Sequence, residues 1–257
     1  MEGNMGKDKF YVSTPLYYVN GELHIGGAYT TIVADMLARY HRSRGKDVFF
    51  LTGSDEHGLK IYREAQKRGM EPKAFSDEIV QKFHELWKEL AITHDHFIRT
   101  TDEYHEKAVQ ALFRKLMDNG DIYLGKYEGY YCAQCEAYVK DADVDACPEC
   151  GRPPERISEE NYFFRLSRYE KPLLDHIDAN PEFILPLYRR NEVRSRVAEG
   201  LDDLSVSRSS FDWGVGIPDD EKHVIYVWVD ALMNYITALG APDDPDGKLE
   251  KYWPADV

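Results

Sequence analysis

The chain has 257 residues, 43% apolar and 13% aromatic, so it can bury a substantial core and is not a disordered polymer. No apolar run reaches membrane-spanning length, and Met1 to Lys9 lacks the apolar core of a signal peptide, which predicts a soluble, non-secreted and most simply cytoplasmic protein. A net charge of −14 argues against a generally basic, non-specific nucleic-acid binder. It leaves room for local basic surface at Arg189, Arg190, Arg194, Arg196 and Arg208, although the interleaved Glu192 and Glu199 equally fit a solvated, salt-bridged face.

In chain order, Phe10-Tyr11-Val12 reads as a buried strand. The residues from Ala28 to Arg44 read as a helix whose apolar face is Ile25, Ala28, Ile32, Met36 and Tyr40, ended by Gly45. Asp47 to Leu51 is a second short strand, with a loop from Thr52 to Gly58. Helices follow at Ile61 to Arg68, Pro72 to Leu90 and Glu103 to Asn119, with a short strand at Phe97-Ile98. This alternation predicts a parallel, doubly wound sheet with the loops after Thr14 and Thr52 on one ligand-binding edge. From Asp121 the pattern changes to Tyr-rich short strands at Ile122 to Leu124 and Tyr127 to Tyr131, a cysteine loop, a strand at Asn161 to Leu166, a helix at Tyr169 to Ala179 and a strand at Leu204 to Ser207. At His223 the buried parallel-strand pattern returns in Val224 to Val229, before a helix through Ala231, Leu232, Tyr235 and Ile236.

Three segments carry chemistry. Ser13 to Gly27 is a strand, a Pro/Gly-punctuated loop and a helix N-terminus, which together make an anion site: free N–H groups leave the first turn, Gly26 and Gly27 permit close approach, and the His24 imidazole can donate. In Thr52 to Gly58, Asp55 sits at a strand's carboxyl end, where it can either cap the next helix or receive a ligand ammonium. In Trp228 to Tyr235, an aromatic stripe is either plain core or a wall that would suit a polarizable thioether. The four cysteines form two C-x-x-C pairs, Cys132/Cys135 and Cys147/Cys150, with eleven residues between them. Two such knuckles predict a closed, structural four-thiolate zinc site. Disulfides would need an oxidising compartment, and a redox C-x-x-C would need one pair.

Pro15-Leu16-Tyr17-Tyr18-Val19-Asn20, three residues, then His24-Ile25-Gly26 closely resembles the first signature of the methionyl-tRNA synthetases, class I aminoacyl-tRNA synthetases. The family usually ends this signature with a second histidine, where this chain has Gly27. Segments around Asp55, Tyr162 to Leu166, Asp203 to Arg208 and Trp228 to Tyr235 also look like family segments, so the resemblance covers essentially the whole chain. It implies an α/β fold, a class I synthetase Rossmann-like parallel sheet with an inserted zinc-binding connective module. The expected division is a first half of the catalytic domain at residues 8–117, the insert at 118–221 and the start of the second half at 222–257.

The implied activity is that of a methionine–tRNA ligase, with methionine, ATP and a methionine-accepting tRNA as partners, Mg²⁺ accompanying ATP, structural Zn²⁺, and no membrane. His24, Gly26 and Gly27 are the implied ATP-binding and catalytic positions. Asp55 is implied to bind the methionine α-amino group, with Leu16, Tyr18, Trp228, Ala231, Leu232 and Tyr235 lining the side-chain pocket. A Lys-Met-Ser-Lys-Ser signature and a helical anticodon-binding domain are absent from the sequence, so the chain reads as a fragment, with the second half of the sheet truncated, that does not charge tRNA by itself. Two other readings stand beside this one: an adenylating paralogue or related class I enzyme, and a non-catalytic zinc-stabilised binding module.

Overall fold

The computed structural model describes residues 8–21, 23–132, 134–135, 137–139 and 145–257. β1 (Lys9–Ser13) leads through a loop to the short β2 (Tyr17–Tyr18), and α1 (Ile25–Ser43) then returns the chain to β3 (Asp47–Asp55). α2 (Leu59–Lys67) and α3 (Pro72–Glu89) cross over to β4 (His96–Arg99). β3 pairs in parallel with β1 along its first half, with β2 at its end and with β4 over Leu51 to Ser54. Parallel strands joined by helices are covered on both faces, and the side-chain alternation shows it. Phe10, Val12 and Phe50 pack with Ala34 and Ala38 on one face, while Tyr11 and Leu51 pack with Ile98, Leu239 and Tyr252 on the other.

One predicted boundary and one predicted face change. Thr52 to Asp55 are the end of β3 rather than loop, because β2 and β4 flank them with parallel partners. β3 lies so close to β4 there that a Cβ on Gly53 would stand 2.0 Å from the Ile98 carbonyl oxygen. The expected apolar face of α1 is also corrected: Ile25, at 88% exposure, and Ile32, Met36 and Tyr40 are exposed. Its buried face is instead Gly27, Thr31, Ala34, Asp35 and Ala38. Small side chains let a helix lie close on a sheet, and that requirement outweighs the hydrophobic periodicity.

α4 (Glu103–Asp118) ends at Asn119-Gly120, and an antiparallel sheet follows. The two predicted Tyr-rich strands are one long strand, β5 (Ile122–Cys132), paired with β6 (Ala137–Val139) and β7 (Glu155–Phe164). A 3₁₀ turn leads into α5 (Glu170–Ala179) and α6 (Leu187–Ala198). The arginines of α6 lie among carboxylates: Arg189 pairs with Glu192, Arg196 with Glu199, and Arg190 and Arg194 both with Asp178. Arg208 does not join them, being buried with its guanidinium 4.1 Å from the Tyr226 ring centroid.

β8 (Leu204–Ser205) extends the β7 edge, and β9 (Ser207–Arg208), β10 (Gly216–Ile217) and β11 (Asp220–Ile225) form a small third sheet. Here too the sequence expectation is corrected. β11 pairs antiparallel with β9 and β10, and its apolar continuation is already helix, α7 (Val227–Thr237). α8 (Lys248–Tyr252) then brings Asp256 and Val257 alongside β1, where Asp256 N donates to Tyr11 O (2.8 Å) and Ser13 N to Val257 O (2.9 Å). Among the described residues no helix is long and apolar enough to cross a membrane.

Candidate active site

β1 leaves the sheet after Ser13, opposite Leu51, and β3 runs on beside that exit to Asp55 at the same sheet edge. The Thr14 and Thr52 hydroxyls, 2.8 Å apart and buried, tie the β1 exit to the last stretch of β3. Pro15 and Leu16 turn away from β1, Asp55 ends β3, and α7 lies across them. Between them is a cleft of about 190 Å³ lined by Pro15, Leu16, Asp55, Trp228, Ala231, Leu232, Asn234 and Tyr235. A wider hollow of about 600 Å³ lies between α2 and the cysteine loop, lined in part by Lys60, Arg63, Lys67 and Arg152. The Asp55 cleft is smaller but opens where β1 and β3 end, as ligand sites of doubly wound sheets do.

The cleft joins one carboxylate to an apolar wall. Asp55 is 5% exposed, whereas Trp228 and Leu232 are 55% and 63% exposed. A ligand with a cationic end and an apolar tail would bury those side chains at about 25 cal/mol for each Å² removed from water. Of the pocket residues predicted from sequence, Leu16, Asp55, Trp228, Ala231, Leu232 and Tyr235 come together here. Tyr18 is not among the lining residues; it is half-buried on β2, packed against the Tyr17, Phe83 and Trp87 cluster with Lys60 Nζ 5.7 Å from its ring centroid.

The segment carrying Asp55 is held rigidly. Glu56, fully buried, receives a two-point contact from Arg99 (2.6 and 2.8 Å), a bond from Thr101 Oγ1 (2.6 Å) and one from Ser54 Oγ (2.5 Å). Its carbonyl accepts from Trp213 Nε1 at 2.6 Å. Gly58 then turns the chain with φ of 101°, a conformation costly for residues with a Cβ. His57 donates from Nδ1 to Asp230 Oδ2 (2.7 Å). Asp230 and Asn234, on the inner side of α7, are buried, and so is His105 on α4. Glu56 and His57 lie within the Thr52 to Gly58 segment and Asp230 within Trp228 to Tyr235, but nothing in the sequence marks Arg99 or His105 as their partners.

His24 is the N-cap of α1, and its Nδ1 accepts from Gly26 N at 3.0 Å. That fixes the tautomer, so Nε2 carries the proton and is the donor the ring offers outward. A Cβ on Gly26 would stand 2.8 Å from His24 Cε1, so a glycine is what lets this imidazole cap the helix. Gly27 is buried; a Cβ there would meet Leu23 Cδ1 at 2.8 Å and Tyr17 Cε1 at 3.2 Å. A side chain at this position would require the Leu23 side chain to give way.

The Sγ atoms of Cys132, Cys135, Cys147 and Cys150 all lie within 4.8 Å of one another, and no disulfide joins them. Two of the separations are 3.5 Å (Cys132 to Cys150) and 3.8 Å (Cys135 to Cys147). Tetrahedral zinc with Zn–S near 2.3 Å requires S···S of about 3.8 Å. Backbone N–H donors at Cys150 and Glu149 pull the Cys147 thiol down to about 7, while burial, most of all, and neighbouring thiols push Cys132 and Cys135 up. The cluster therefore has the donors and the spacing to hold a metal ion.

A family model described as class I (M) tRNA synthetases matches residues 10–158 and 150–257. The methionine–tRNA ligase of Caldanaerobacter subterraneus subsp. tengcongensis is 56% identical over 253 residues, covering 98% of this chain and 40% of that protein. The Thermotoga maritima methionine–tRNA ligase is 54% identical over 255 residues, covering 97% of this chain and 40% of its own length. Among solved structures, Mycobacterium tuberculosis methionyl-tRNA synthetase bound by methionyl-adenylate superposes with a TM-score of 0.93 at 45% identity, over 97% of this chain and 50% of that one. Its free state gives 0.83 at 42% identity. The chain thus spans about 40% of the length of the curated relatives it matches, and over that span it belongs to the class I (M) tRNA synthetases.

Proposed function

We propose that this chain carries the amino-acid site and part of the ATP site of a methionine–tRNA ligase. The observation that carries the reading is the cleft in which the buried Asp55 carboxylate faces Leu16, Trp228, Ala231, Leu232 and Tyr235. Asp55 receives the methionine ammonium as a charge-assisted pair. The aromatic and aliphatic wall holds the thioether by dispersion and burial, with sulfur against ring edges. The methionine carboxylate, left at the open end, attacks the α-phosphate of ATP and pyrophosphate leaves, giving methionyl-adenylate. The terminal ribose of tRNA then takes the methionyl group and releases AMP.

The chain's own part in this is positioning and charge stabilisation. His24 Nε2–H and the N-terminus of α1 face the phosphates as donors, with Gly26 keeping the imbedded approach open. Gly27 offers no second imidazole, so His24 and backbone amides act without one. Mg²⁺, when bound with ATP, supplies charge neutralisation on the phosphates. The cysteine cluster holds structural Zn²⁺ through Cys132, Cys135, Cys147 and Cys150, within a connective module spanning residues 118–221 between catalytic segments at 8–117 and 222–257. The methionine-accepting tRNA and the charging step belong to the longer polypeptide.

Competition among methionine, leucine and cysteine for binding tests the assignment in the polypeptide extended to its natural stop codon. Methionine is expected to displace both of the others. Equal affinity for leucine would overturn the thioether pocket and favour a related class I enzyme.

A further inference from the structure

The wall helix α7 meets the cleft with large, half-open side chains, and such side chains do little to fix a helix. What fixes it lies on the opposite side. Asp230, in its first turn, is 0% exposed and uses both carboxylate oxygens. Oδ2 accepts from His57 Nδ1 (2.7 Å), two residues beyond Asp55, and Oδ1 accepts from His105 Nε2 (2.9 Å) on α4. The same His105 ring accepts at Nδ1 from Thr237 Oγ1 (2.7 Å), at the far end of α7. One imidazole thus spans two turns of α7, and a second ties that helix to the Asp55 strand. We propose that Asp230 is a positioning residue: with His57, His105 and Thr237 it forms a buried clasp that sets the distance between the apolar wall of the cleft and the carboxylate of Asp55.

The clasp rests on the methionine-site reading for its consequence, not for its existence. Trp228 precedes Asp230 by two residues, and Ala231 and Leu232 follow it directly. A small rotation of α7 about this anchor would therefore swing every one of those walls relative to Asp55. The ligand feels the clasp only through that geometry, since Asp230 lines no part of the cleft. The groups facing His57 are Asp230 from α7, Glu106 from α4, Glu56 on its own segment, and the Trp213 ring edge. Its charged form is favoured by three carboxylates, so the clasp is tightest when His57 is an imidazolium. Asp230→Asn keeps the shape, removes the charge and puts an amide donor against one of the two ring donors.

The test is steady-state methionine-dependent ATP–pyrophosphate exchange in the polypeptide extended to its natural stop codon, with Asp230→Asn and Thr237→Val beside the unsubstituted protein. In Asp230→Asn the methionine KM is expected to rise about ten-fold or more, with the ATP KM within about two-fold of the unsubstituted value. Thr237→Val, which leaves no charge stranded, is expected to raise the methionine KM by about three-fold. The unsubstituted methionine KM should also climb as pH rises through the His57 titration, and Asp230→Asn should lack that step. Should Asp230→Asn fail to fold, Thr237→Val and ring ¹⁵N spectra of the unsubstituted protein still decide. Those spectra must show His57 Nδ1 and His105 Nε2 both protonated. The opposite His105 tautomer, or an unchanged methionine KM in the folded variants, overturns the clasp. No methionine-dependent exchange in the unsubstituted protein instead overturns the function proposed above, while the ring spectra still report on the clasp.

Discussion

Asp55→Asn isolates the charge that the cleft offers to a ligand. The amide keeps the volume of the side chain, so the apolar wall from Leu16 to Tyr235 is unchanged and only the electrostatic partner is lost. Two unit charges about 4 Å apart at an effective dielectric near 20 attract by about 4 kcal/mol. The ammonium must leave water to reach a carboxylate that is 5% exposed, and measured charged hydrogen bonds keep about 1.5–3 kcal/mol after that cost. Methionine affinity should therefore fall by about 10- to 150-fold. The assay is calorimetric binding of methionine and of 4-(methylthio)butanoate, which has the same chain, thioether and carboxylate but no amine. The substitution should remove most of the methionine affinity and leave that of the deaminated acid within about two-fold. Equal losses for the two ligands would refute the ammonium pairing, because the carboxylate would then be acting on something other than the amine.

Removing metal from the cysteine cluster, or replacing Cys147 by Ser, should abolish a stoichiometric zinc signal in elemental analysis and lower the melting temperature, since binding to such sites is coupled to local folding; a metal-free protein with an unchanged melting curve would contradict a structural role. Gly53→Ala should destabilise by about 1–3 kcal/mol, because the new Cβ would stand 2.0 Å from a backbone oxygen that cannot rotate away. Gly21→Ala, with nothing within 4 Å, is the control for chemical denaturation and should be near neutral. The His57 cluster sets a pH window. Burial lowers the His57 pKa, but Asp230, Glu106 and Glu56 raise it by more, and it ends above its ordinary 6.5. Burial likewise pushes Asp230 up, but His57 and His105 hold it below its ordinary 3.8. A raised histidine contributes in full below pH 6.5 and loses its contribution as pH rises through its folded value; the lowered aspartate contributes above 3.8 and fails as pH falls through its own. Denaturation midpoints should thus decline as pH rises above about 6.5 in the unsubstituted protein, and that decline should be weaker in Asp230→Asn.

Much of the parallel sheet was legible because its strands are buried on both faces and its helices carry ordinary stop signals, as at Asn119-Gly120. The α1 face was misread because periodicity locates apolar residues but not how close a helix must lie to its sheet; Ala34 and Ala38 won that place over Ile32 and Met36. β11 was misread because a run of Val, Ile and Tyr fits a strand, whereas the chain turns into α7 at Val227 and sets Asp230 of its first turn against His57 and His105. In the candidate site, the residues that line the cleft stood in compact motifs, so sequence could name them. Those that hold it were less legible: Arg99 and His105 are ordinary residues, and Asp230, though inside the Trp228 to Tyr235 segment, has partners that only the fold brings to it, over 43 to 173 positions of sequence.

The most direct test is amino-acid-dependent ATP–pyrophosphate exchange by the folded, zinc-loaded polypeptide extended to its natural stop codon. The account predicts exchange with methionine and little with leucine or cysteine. No exchange with any amino acid would contradict it, and would leave a zinc-stabilised binding module on a synthetase fold.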